Sequence, residues 1–128
     1  MERKVIVTPE APAPVGPYNQ AIVAQGQMVF VAGQVALDPS SGQLVGETVA
    51  DQTRQAMANM KAILAAAGAT LDNVVKTSVF LQNMDDFAAM NEVYGQYFDD
   101  ETAPARACVQ VARLPKGALV EVECMAVL

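Results

Sequence analysis

The residue types best able to do chemistry gather in the last quarter of the chain. In Pro104-Ala105-Arg106-Ala107-Cys108-Val109-Gln110-Val111, strand alternation puts Arg106, Cys108 and Gln110 on one face and Ala107, Val109 and Val111 on the other. A guanidinium at the mouth of an apolar strand is costly to desolvate unless it meets an anion. Its planar fork takes a carboxylate through two parallel hydrogen bonds. Two readings stand: an ion pair with an Asp or Glu of the fold, the commoner fate of a buried charge, or a clamp for a small carboxylate ligand. Further on, Glu121 and Glu123 share a strand face with Met125 and Val127, opposite Val120, Val122 and Cys124. Such a pair usually marks a solvated face. Partly apolar surroundings would instead desolvate one Glu, the condition under which a carboxyl group moves protons near neutral pH.

Other candidates are weaker singly. Asn91 sits one helical turn from both Phe87 and Tyr94, either satisfied in a core or aimed into a pocket. Gly16-Pro17-Tyr18 restrains Tyr18, a residue as well suited to packing as to a site. Cys108 reads as an ordinary thiol except for its neighbour Arg106. Lys61 and Lys76 lack a sequence partner that suggests Schiff-base chemistry. The chain has no His, which excludes Ser-His-Asp and Cys-His nucleophiles and His-ligated zinc or haem. Its two cysteines, Cys108 and Cys124, are too few and wrongly spaced for a thiolate metal site. Neither GxxxxGK[ST] nor GxGxxG occurs. The net charge of −6 repels phosphate backbones, so nucleic acid is a poor partner.

The elements that must position these residues follow from pattern. Residues 3–7, 21–24 and 28–32 read as strands, with Gln25-Gly26-Gln27 as a hairpin turn between the last two. Thr8–Pro17, with four prolines, is stiff and irregular. Thr48 opens a helix, Asp51 following as a capping-box variant. Val49, Ala56, Met57, Met60, Ile63, Leu64 and Ala67 keep helical spacing as far as the stop at Gly68. Val74–Leu81 is a strand with apolar residues at both parities, as if buried on both faces. Asn83 caps a second helix running to about Phe98, with Phe87, Met90, Tyr94, Tyr97 and Phe98 on one side. Residues 107–111 and 119–127 complete the strands.

The order β-β-β-α-β-α-β-β predicts one α+β domain over residues 1–128, a mixed sheet with two helices on one face. With 52% hydrophobic and 17% charged residues, against the usual ~45–50% and ~25%, the chain carries more apolar surface than a monomer comfortably exposes. No run approaches a membrane span of ~20 apolar residues, and the opening residues read as no secretory signal. Two thiols without sign of pairing fit a reducing cytoplasm. A second copy of the chain is the simplest cover for the far sheet face.

Gly16-Pro17-Tyr18, Ala32-Gly33-Gln34, Val75–Leu81, Phe87-Ala88-Ala89-Met90-Asn91, Pro104-Ala105-Arg106, Val111–Gly117 and Val120-Glu121-Val122-Glu123 together resemble the Rid proteins. These are the reactive-intermediate enamine/imine deaminases, formerly called the YjgF type, and the similarity is greatest to the RidA subgroup. The resemblance implies a chorismate-mutase-like fold, a homotrimer with sites between subunits, and hydrolysis of 2-imino acids such as 2-iminopropanoate and 2-iminobutanoate without cofactor or metal. It implies Arg106 as the carboxylate clamp and Glu121 as the group assisting water. Tyr18, Asn91, Cys108 and the Gly33 backbone would line the site. One departure is Ala32, where the family often carries a hydroxyl residue.

Overall fold

The computed structural model describes residues 3–128. β1 (Arg3–Ile6) and β2 (Ala21–Ala24) form a small antiparallel sheet. β3 (Met28–Gln34), β4 (Val74–Leu81), β5 (Ala105–Gln110) and β6 (Val120–Val127) form the main sheet in the order β3-β6-β4-β5. β4 and β5 run parallel and the other pairs antiparallel. The helices α1 (Val49–Ala66) and α2 (Phe87–Tyr94) cover one face. The α+β class and its layering are those expected.

Local chemistry explains α1. The Thr48 hydroxyl accepts a hydrogen bond from the Asp51 N–H at 3.1 Å, satisfying one of the helix's free donors, and Gly68 ends it at φ +82°. Val49, Ala56, Met57, Met60 and Leu64 are buried against Met90 and Tyr94 of α2 and Val31, Val79, Val120 and Val122 of the sheet. Ile63 and Ala67 keep the spacing but lie exposed at the flank of this stripe.

Three expectations are corrected. The 21–24 and 28–32 strands do not form a hairpin: β2 pairs with β1 and β3 with β6. Gly26, at φ +142°, instead lets the chain pass so close to the Leu128 carbonyl that a Cβ would collide with it, and the Leu128 N–H donates to the Gln27 carbonyl at 2.8 Å. The same turn covers Val127, which is buried rather than part of a surface shared with Glu121. The second helix is broken into a 3₁₀ turn (Met84–Asp86), α2 and a second 3₁₀ turn (Gly95–Tyr97). Asn83 caps the first turn, accepting from the Asp85 N–H at 2.9 Å. The second begins at Gly95, a poor helix former that packs against Pro17.

Register decides what shares a face. Thr77 of β4 lies between Arg106 of β5 and Cys124 of β6, on the helix side. Phe80 lies between Val109 and Glu121, on the other side. Within this chain β4 is fully buried only towards the helices; Val75, Lys76, Ser78 and Phe80 are half-buried. The uncovered apolar residues include Phe30 at 71% exposure and Val109 at 46%.

The packing of α1 predicts unequal costs for two truncations. Met57→Ala, at a fully buried position, should destabilise by about 2–5 kcal/mol, whereas Ile63→Ala should cost less than about 1 kcal/mol. Urea unfolding at one fixed protein concentration measures both, and equal losses would contradict the assigned core face.

Candidate active site

Arg106 stands at the centre of a cluster built by three segments. β5 carries it on the helix side, 9% exposed. α2 delivers Phe87, Asn91 and Tyr94 at spacings of four and three residues, hence on one helix face. The Gly16-Pro17-Tyr18 turn delivers Tyr18. Its place relative to β5 is fixed by Asn19, whose N–H donates to the Pro104 carbonyl at 3.2 Å and whose side-chain amide donates to the Ala103 carbonyl at 2.8 Å. The Tyr18 hydroxyl accepts from the Val15 N–H at 3.0 Å.

The guanidinium lies 5.0 Å from the Tyr18 ring centre, 5.0 Å from Tyr94 and 5.6 Å from Phe87. Its Nη1 donates to the Asn91 side-chain carbonyl at 2.6 Å, and its Nε is buried without a partner among the described residues. Among the described residues the only ion pair is Arg54–Asp51. No Asp or Glu among the described residues therefore pairs with Arg106. Burial lowers the Arg106 pKa, and the strongest opposing influence is Tyr94.

Gly16 completes the enclosure. At φ +145°, it brings the backbone so near that a Cβ there would sit 3.0 Å from Arg106 Nη2 and 3.3 Å from Asn91 Nδ2. Val15, Tyr18, Phe87, Arg106 and Cys108 line a cleft of about 150 Å³. Burial pushes the Cys108 thiol up, with Arg106 opposing, so it faces this cleft as a neutral thiol near pH 7. Gln110, expected on the same face, turns its carbonyl to the Met84 N–H at 2.8 Å and serves the chain rather than the cleft. A larger groove of about 370 Å³ runs along the proline-rich segment between Val7 and Gln20, with no charged side chain in its lining.

Glu121 and Gly33 lie elsewhere. β3 bulges between Val31 and Gln34. There the backbone of Gly33 packs on Glu121 so closely that a Cβ would be 2.6 Å from its Oε2. Both are on the sheet face away from the helices. The structure thus brings Arg106, Asn91, Tyr18 and Cys108 together and Glu121 and Gly33 together, with the sheet between the two groups. A site holding both Arg106 and Glu121, which the resemblance places between subunits, is not formed within one chain: β5 and β6 flank β4 and carry the two side chains to opposite faces of the sheet.

Sequence reasoning placed Phe87 and Tyr94 near Asn91 but missed that their rings stack on Arg106; the i, i+4, i+7 spacing was the available signal. The sequence offers Gly16 only as part of the segment that restrains Tyr18, without its close approach to Arg106 and Asn91. Among the described residues no three His, Cys, Asp or Glu side chains lie together as a metal would need, and no helix is long and apolar enough to cross a membrane.

The Endoribonuclease L-PSP family model matches residues 8–128, and this chain belongs to that family, in which it stands with the Rid proteins. A RutC family protein of Synechocystis is 59% identical over the whole of this chain and 98% of its own length. The mouse protein named 2-iminobutanoate/2-iminopropanoate deaminase is 51% identical over 98% of this chain and 91% of its own. The crystal structure of RidA from an Antarctic Psychrobacter species superposes with a TM-score of 0.75 at 45% identity, covering 98% of this chain and 99% of that one.

Gly16→Ala should displace the guanidinium and weaken binding of a small carboxylate such as pyruvate by about tenfold, equivalent to ~1.4 kcal/mol. Calorimetric titration measures this; an unchanged Kd would mean that the glycine does not shape the cleft.

Proposed function

We propose that this protein hydrolyses small 2-imino and 2-enamino acids, 2-iminopropanoate and 2-iminobutanoate among them, to 2-keto acids and ammonia, acting in the cytoplasm as a homotrimer. The observation that carries the reading is the buried guanidinium of Arg106, which has no carboxylate beside it among the described residues. A desolvated cation of this kind favours an anionic ligand, and a cleft of about 150 Å³ suits one with a short side chain. The mouse relative named for this activity supports the choice of substrate. The net charge of −6 argues against RNA as substrate despite the family's name.

Arg106 holds the substrate carboxylate and so fixes the imine carbon in place, which contributes orientation rather than chemistry. Glu121 takes a proton from water as the oxygen adds to the C=N carbon, and the tetrahedral carbinolamine forms. Glu121 returns that proton to nitrogen, completing the amino group. It then carries the carbinolamine's hydroxyl proton to nitrogen as the C–N bond breaks and C=O forms, so that ammonia leaves and the 2-keto acid remains. An enamine enters the same path after tautomerising to the imine. Proton transfer of this kind contributes about 10²–10⁴-fold, and the reaction calls for no cofactor.

Assembly follows from the division of the site. If Arg106 and Glu121 act on one substrate, they come from different copies of the chain. The contact is then head to tail, joining the cleft side of one copy to the Glu121 side of the next, and such contacts form a ring where the rotation between copies closes. The uncovered Phe30 and Val109 on the Glu121 face supply apolar surface for this contact. The three-membered ring is the one implied by the resemblance to Rid proteins.

Two variants test the roles. Arg106→Lys keeps the charge but not the two-donor fork, so it should lose both pyruvate binding and turnover by at least about tenfold. Glu121→Gln should bind pyruvate within about threefold of the unaltered protein while its turnover falls by about 10²-fold. Calorimetry and ammonia release from freshly generated 2-aminoacrylate give both quantities. Near-normal turnover in either assembled variant would remove that residue from the mechanism.

A further inference from the structure

We propose that Tyr94 is a positioning residue for carboxylate recognition: its buried ring, fixed by Thr77, takes the place of a counterion under Arg106. The inference rests on the reading of Arg106 as the substrate clamp and adds what makes that clamp possible. A guanidinium with 9% exposure is normally held by a carboxylate. Such a partner would occupy its N–H donors and compete with an anionic ligand. An aromatic face stabilises the positive charge through its quadrupole and consumes no donor. The cation is compensated and its hydrogen-bonding edge stays available.

Three rings surround Arg106, but they differ in what else they can do. Tyr18 and Phe87 line the cleft and can touch a ligand directly. Tyr94 is fully buried and outside that lining, so it reaches a ligand only through Arg106. Its hydroxyl shares a 2.7 Å hydrogen bond with Thr77 Oγ1. Thr77 is the β4 residue in register with Arg106 on β5. The ring is therefore tied to the strand beside the cation it supports. Phe98 packs against it with ring centres 5.1 Å apart. Burial raises the Tyr94 pKa to about 12, so the phenol stays neutral and offers a ring face rather than a phenolate charge.

Two substitutions separate the ring from the hydroxyl. Tyr94→Phe and Tyr94→Leu both delete the bond to Thr77 and share its stability cost; only the Leu variant removes the ring face. Tyr94→Leu should raise the pyruvate Kd and the KM for 2-iminopropanoate at least about tenfold, with a smaller change in kcat. Tyr94→Phe should stay within about threefold of the unaltered protein on both. A series of phenylalanine analogues with one, two and three ring fluorines at position 94 keeps the shape while draining the negative face. The Kd should rise stepwise along it, a result that holds the inference to account even if the Leu variant does not assemble. Equal Kd values for the Phe and Leu variants, or a Kd indifferent to fluorination, would overturn the role of Tyr94. Failure of the unaltered protein to bind pyruvate would overturn instead the reading of Arg106 as a clamp, and this inference with it.

Discussion

A buried cation with no anion beside it among the described residues is the constraint on which the rest of this structure turns. The helix α2, the Gly16-Pro17-Tyr18 turn and strand β5 converge on the Arg106 guanidinium and stabilise it with ring faces and one amide oxygen. Each contributor depends on a different local rule: the helical spacing of Phe87, Asn91 and Tyr94, the positive φ and missing side chain of Gly16, and the pairing of Thr77 with Arg106. Together they hold a donor group in low dielectric with spare hydrogens, the arrangement that the proposed clamp requires to orient an electrophilic carbon beside a small carboxylate.

The same two-residue period that builds the core divides the machinery. On β6, Val120, Val122 and Cys124 are buried under the helices, which forces Glu121 to the far face. On β5, Arg106 takes the helix side and Val109 the far side. Neither side chain can change face without turning its strand's core residues out. The proposed site is therefore one that a single copy does not complete, and the proposed assembly links catalysis to the burial of Phe30 and Val109.

Much of the fold was legible. The extent of β4, the Thr48 cap, the stop at Gly68 and the sharing of a face by Arg106 and Cys108 all follow from local pattern, and the structure has them. What was not legible depends on partners distant in sequence. Gln25-Gly26-Gln27 has the composition of a hairpin turn, yet its glycine is required by the approach of Leu128, about which residues 25–27 carry no signal. Asn83 to Phe98 reads as one helix because its apolar spacing is continuous, while Pro17 pressing on Gly95 lies far outside that window. For the site, strand alternation gives the face of each residue only relative to its own strand. Whether Arg106 and Glu121 share a side is settled by the register of β5 and β6 on β4, and sequence period alone does not supply it. Nor does it reveal that Phe87 and Tyr94 meet a cation rather than another apolar side chain.

Subunit mixing tests the shared site most directly. Arg106→Lys and Glu121→Gln, each nearly inactive alone, would be combined in equal amounts, allowed to exchange subunits, and assayed for ammonia release from 2-aminoacrylate. In mixed rings roughly one contact in four joins an intact Arg106 from one copy to an intact Glu121 from the next, given head-to-tail contacts and random exchange. The account predicts recovery of about a quarter of the unaltered protein's activity. Activity no greater than the average of the two variants, with subunit exchange verified by mass spectrometry, would contradict it.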